Sequence, residues 1–268
     1  MEWDALAALR LQIEFGADEA LEDAPVDRLR PALGGAPVAA AGRTWEAATP
    51  AAVPLLATPT RDPPHVSSAD LAAEAAAGAS TLAALYSAIA GFDGCALRDT
   101  ATQAVLPAGD LAAGLLLVGE PPAAEDDRAG RPFAGRAGGT LDRMLASISL
   151  DRSKLLLAPL IPWRPPGNRP PTAAELAICL PFLHRLIELS APRRVVLLGT
   201  LAARTLLGAT RRRSPAWTEM VLPGTARRFP VLAMPAPAAV AQGPAERRAA
   251  WVALRLLRRA LDVDLTQM

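Results

Sequence analysis

Of three short stretches that stand out in this chain, two carry residue types that can do chemistry, and both follow apolar runs. The first, GEPPAAEDDRAGRPFAGRAGG (119–139), crowds Glu120, Glu125, Asp126 and Asp127 beside Arg128, Arg131 and Arg136. A carboxylate so placed can hold a water, with Glu120 and Asp126 as the candidates, and Phe133 offers a face on which a flat ring can stack. Read alone, the same cluster is also a solvated acidic turn. The second, RPPGNRPPT (164–172), is stiff and basic, and Arg164, Asn168 and Arg169 suit the positioning of a phosphate. Its plainer reading is a rigid connection. The third, Met234 to Gln242, runs Met-Pro-Ala-Pro-Ala-Ala-Val-Ala-Gln and holds no titratable side chain. His65 lies in an unpatterned segment and His184 in a helical one, so solvated and packed roles suit them better than catalysis.

The first two stretches together resemble the first half of a family-four uracil-DNA glycosylase. The pattern there is G-E-A-P-G-x-x-E-D-x-x-G-x-P-F-V-G-R-A-G, then N-x-x-x-[CW]-R-P-P-G-N-R-x-P-T. The resemblance spans about 69–262 and implies a three-layer α/β/α sandwich with a four-stranded parallel sheet. It implies that the first loop walls a uracil pocket, that Phe133 stacks on an extruded base, and that the second loop grips DNA. Departures follow the same alignment. The family's A-P-G is Pro121, Pro122 and Ala123, a stiffer turn with an added methyl. Pro159 stands where an asparagine would bond the edge of uracil, and proline has no donor. After the last strand the family's T-Y-H-P-A-Y-L-L-R places Ala236 at the histidine, Val240 or Ala241 at the leucine wedge and Gln242 at the arginine. Losing one such donor typically costs roughly a hundred- to a thousand-fold in rate.

The resemblance also bears on a cofactor. The four cysteines of the family's iron–sulfur cluster match Phe92, Cys95, Trp163 and Cys179, and two thiolates cannot hold a Cys₄ site. No cofactor is therefore expected, and Cys95 and Cys179 are read as buried remnants. What the resemblance implies is a base-excision-repair protein with lost or strongly reduced glycosylase activity that still binds DNA, single strands included. One alternative is a working glycosylase for uracil or another damaged base, using Glu120 or Asp126 to place water and backbone amides near Ala123 and Phe133 to read the base. Another is a non-catalytic module that meets a protein partner through an N-terminal helix.

Residues 3–15 show an amphipathic pattern within an N-terminal extension of 1–30, and 31–67 is an Ala/Pro-rich linker unable to bury enough surface to fold. A uracil-DNA glycosylase-like domain fills 68–268. It opens with a helix from Ser68 to about Ala90, capped by Ser68 or Asp70. Strands are expected at 115–118, 155–163, 193–199 and 229–235, and helices at 139–147, after Thr172, over 200–207 and over 245–261. Glu175 sits at the capping-box position after Thr172. In the last helix Trp251, Leu254, Leu257 and Leu261 form one apolar stripe. Strands alternating with helices argue a parallel sheet.

The net charge is +1, with Lys154 the only lysine, so no global field attracts nucleic acid. Local arginines, Arg211, Arg212 and Arg213 with Arg227 and Arg228, suit either a DNA face or a solvated run. Two cysteines make no disulfide framework, and no apolar run approaches the roughly 20 residues of a membrane span. A cytoplasmic protein is expected.

Overall fold

The computed structural model describes residues 67–208 and 215–266. The expected helix at 3–15, the linker up to residue 66 with His65, and Arg211, Arg212 and Arg213 lie outside the described residues. The chain enters α1 (Ser68–Gly78), α2 (Leu82–Gly91) and α3 (Ala96–Thr100). The single helix expected here is two, because Thr81 caps a second one through its bond from the Ala84 amide, and the cap of α1 is Ser67, one residue earlier than expected.

Six strands follow: β1 (Ala108–Gly109), β2 (Leu115–Val118), β3 (Leu156–Ala158), β4 (Arg194–Leu198), β5 (Trp217–Val221) and β6 (Arg228–Met234). They form one mixed sheet in the order β1-β3-β2-β4-β6-β5. β3, β2, β4 and β6 are parallel neighbours, while β1 and β5 pair antiparallel at the two edges. The α/β class is as expected, but the sheet is six-stranded and mixed. β1 is too short, and β5 too polar in its Thr218-Glu219 centre, to stand out by pattern alone.

Among the described residues, helices α4 (Ala124–Ala129), α5 (Arg136–Ala146), α6 (Ala173–Ser190), α7 (Thr200–Leu207), α8 (Pro237–Gln242) and α9 (Pro244–Thr266) complete the fold. Successive strand residues point to opposite faces, and each face has its own core. Leu116, Val118, Leu156, Val195 and Val231 pack with Phe182 and Leu186 of α6 and with α1 and α2. Leu115, Leu117, Leu157, Val196 and Leu232 pack with Leu141 and Leu145 of α5 and Leu254 and Leu257 of α9. Thr172 and Glu175 form the expected capping box, and α6 then runs on through Pro181.

Candidate active site at the carboxyl edge of the sheet

The parallel strands all end on one edge, and open α/β sheets place ligands at that edge. It is stitched by backbone bonds: Gly119 donates to the Ala158 carbonyl at 2.8 Å and Gly199 to the Met234 carbonyl at 2.9 Å. Glu120, Pro159, Gly199 and Ala236 therefore stand one or two residues beyond β2, β3, β4 and β6.

Phe133 is half-buried and lies over Gly119, where an added Cβ would sit 2.5 Å from its ring. Its backbone is left-handed, with φ of 56°, a conformation that costs a non-glycine residue on the order of 1 kcal/mol and needs support. That support is visible. The Phe133 carbonyl accepts a bond from Arg152 at 2.9 Å, Arg152 pairs with Asp142 at 2.6 Å, and Gly138 leaves the room, since its Cβ would fall 1.9 Å from that carbonyl oxygen.

Asp126 also fixes the loop. Its two oxygens accept the amides of Ala134 at 2.6 Å and Ala123 at 3.1 Å. Those amides are thus occupied, and Asp126 is a positioning group for Phe133 more than a holder of water. Its neighbour Asp127, buried at 3% exposure, was no candidate in the sequence. It accepts the Thr102 amide and hydroxyl, both at 2.8 Å, and the Gln103 amide at 3.3 Å. The segment it holds continues to Val105, whose amide reaches the Pro162 carbonyl at 2.7 Å, so one buried carboxylate braces both loops. A repeated acid in a motif gave no signal as to which copy faces inward.

Glu120 differs from both. It is exposed, with its carboxylate leaning on Gly199, whose φ of 103° and absent side chain admit it: a Cβ there would meet Glu120 Oε1 at 2.5 Å. Loss of solvent on that side pushes its pKa above the usual glutamate value.

In the second loop Arg164 donates to the Asn168 side chain at 2.7 Å. Arg169 is clamped by Glu175 in a two-pronged pair at 2.6 and 2.8 Å. The guanidinium holds the Glu175 carboxyl down at about 2, so Arg169 braces α6 with its charge already matched. At the third loop, Ala236 is buried as the cap of α8, and Val240 is buried among the α5 and α9 side chains instead of projecting as a wedge. Pro159 is buried too. It lines a small apolar cavity of about 20 Å³ with Leu85, Ile89, Cys179 and Phe182, and Phe133 is not part of that lining. Arg227 and Arg228 lie at the opposite end of β6, Arg227 over the Phe229 ring and Arg228 paired with Glu219, so neither flanks the third loop.

The sequence pattern of the uracil DNA glycosylase superfamily matches residues 106–256, which contain all three loops. The chain belongs to that superfamily. It is similar to a type-4 uracil-DNA glycosylase of Pyrobaculum aerophilum, 36% identical over 130 residues, which cover 48% of this chain and 66% of that protein. A type-4 uracil-DNA glycosylase of Archaeoglobus fulgidus is 40% identical over 110 residues, 41% of this chain and 55% of the relative. A type-5 uracil-DNA glycosylase of Pyrobaculum aerophilum is 36% identical over 124 residues, 40% and 54% of the two chains. The chain thus spans between about half and two thirds of the length of these relatives.

For a member of this superfamily the iron–sulfur question turns on four side chains. Phe92, Cys95, Trp163 and Cys179 meet in one core, with the Phe92 ring 6.4 Å from Trp163 and 5.3 Å from Phe182. The two buried thiols interact, which pulls Cys95 below the ordinary thiol range and pushes Cys179 above it. Two sulfurs beside stacked rings do not fit a cluster that needs four thiolates. No helix among the described residues is long and apolar enough to cross a membrane.

Proposed function

We propose that this superfamily member binds DNA through the loops at the carboxyl edge of its sheet and that its glycosylase activity is lost or strongly reduced. One observation carries the reading. The edge keeps a built aromatic seat in Phe133, while Pro159 and Ala236, both buried at the ends of their strands on the same edge, offer no side-chain donor to a base or to the charge that develops on a departing one. The amides of Ala123 and Ala134 supply no replacement, because Asp126 holds them. Arg164, which among the described residues bonds to neutral Asn168 rather than to a carboxylate, is the phosphate contact of the second loop.

A second reading has its own observation. Glu120 stands at the same edge, and loss of solvent beside Gly199 raises its pKa, which suits a carboxylate that takes a proton from a bound water. Under this reading the protein is an active, divergent glycosylase. A uracil-containing single-stranded oligonucleotide separates the two. We expect cleavage at least about a hundredfold slower than by a type-4 relative, with salt-sensitive binding that Arg164→Ala weakens. Cleavage at the relative's rate, abolished by Glu120→Ala and rising only above the ordinary glutamate range of pH, would establish the second reading. Absence of both binding and cleavage would leave the interaction module.

A further inference from the structure

Trp251 belongs by spacing to the apolar stripe of α9, yet it is 48% exposed, while Leu254 and Leu257 of the same stripe are buried. It borders an open groove of about 340 Å³ between α9 and the end of α5, whose other walls include Ser147, Ser149, Arg255, Arg258 and Arg259. Arg258 is a fixed wall, with one nitrogen on the Ile148 carbonyl at 3.3 Å and another on Asp262 at 2.5 Å. Arg255 is exposed one turn after Trp251, and Arg247 and Arg248 are exposed one turn before it. The tryptophan is thus framed by guanidinium groups along one helical stripe.

We infer that this groove is a second contact for single-stranded nucleic acid, separate from the carboxyl-edge loops. A base stacks on the Trp251 ring while Arg255 and Arg259 meet the flanking phosphates. The indole face decides the partner's chemistry. An acidic peptide would use the arginines alone and leave the ring without a flat partner, and a duplex keeps its bases stacked on one another, whereas a single strand presents bases and phosphates in alternation. Position keeps the two contacts apart. α5 starts three residues after Phe133 and ends at Ala146, so its rise of 1.5 Å per residue puts the groove roughly 16 Å away along the helix. The far end of α9 reaches the opposite edge of the sheet, where Arg194, the first residue of β4, donates to the Ala260 carbonyl at 3.2 Å.

The test uses the full chain and an oligothymidylate carrying a photoreactive 4-thiothymidine. We expect a cross-link on the tryptic peptide 249–255, binding about tenfold weaker for Trp251→Ala, and for the pair Arg255→Glu and Arg259→Glu a salt dependence shallower by about 1.4, two phosphates' worth. These side chains are exposed, and an unchanged melting temperature confirms folding. Cross-links confined to the carboxyl-edge loops, with affinity unchanged in both the Trp251→Ala and the double-arginine variant, would overturn the inference, as would polyglutamate displacing the oligonucleotide at equal charge concentration. Arg164→Ala reports on the loops separately, so failure there falls on the reading of the active edge and not on this groove.

Discussion

Replacing Asp127 by alanine should be among the most damaging single changes to the loop structure at the active edge. The carboxylate is buried at 3% exposure and receives three donors, the Thr102 amide and hydroxyl at 2.8 Å and the Gln103 amide at 3.3 Å. A hydrogen bond to a charged acceptor contributes about 1.5–3 kcal/mol net. The long third bond counts for little, and the Thr102 hydroxyl can turn toward water, so the two shorter bonds set a loss of about 3–4 kcal/mol. For a domain of roughly 200 residues that lowers the melting temperature by about 6–16 °C. Asp127→Asn keeps the shape and one acceptor oxygen, so it should cost less than half as much. Urea titrations of the three proteins, with equal m-values, measure this directly. A loss below about 1 kcal/mol for alanine, or equal losses for alanine and asparagine, would refute the view that this carboxylate braces both loops.

Other outcomes follow from the same contacts. Gly138→Ala should destabilise by about 1–3 kcal/mol through its clash with the Phe133 carbonyl, whereas Gly139→Ala, with nothing within 4 Å, should stabilise by about 0.5–1 kcal/mol; a urea melt of each decides. Glu175 has a folded-state pKa of about 2, below its ordinary 4.5, so its stabilisation is present above pH 4.5 and is lost as pH falls toward 2. With Arg169 exposed to screening solvent, that amounts to no more than about 1 kcal/mol, and Glu175→Gln should flatten the acid limb of a stability-versus-pH curve. Purified protein should carry no stoichiometric iron by metal analysis and no charge-transfer band near 400 nm; either one would contradict the two-thiolate argument.

The parallel core was legible because its strands are runs such as LLLV and RVVLL, bounded by glycine or proline and buried on both faces. The break between α1 and α2 was not. Ala72 and Ala76 before it and Leu82, Leu85 and Ile89 after it keep one apolar period, and the new start shows only in the extended backbone of Ala79 and Thr81 and the bond from the Ala84 amide to Thr81. Edge strands are read poorly for a related reason. β5 is exposed along much of one side and takes its order from pairing with β6, a long-range contact that local pattern does not carry.

Site residues divide along a similar line. Residue type marks which side chains carry charge or an aromatic face, but not how much of each is already committed within the fold. Asp126 and Arg169 look free in sequence and are bound within the fold, to backbone amides and to Glu175. Val240 looks exposed by its place at the family's wedge and is buried, while Trp251 looks buried in an apolar stripe and is exposed. Each error reverses an inference about contact with a ligand, since a group bonded inside the fold must give up that partner before it can take another. By that criterion Glu120, Phe133 and Arg164 are the side chains of the carboxyl-edge loops least encumbered by the fold. Under the proposed function they are the groups left to stack and anchor a nucleotide, since neither Pro159 nor Ala236 carries a side-chain hydrogen-bond donor.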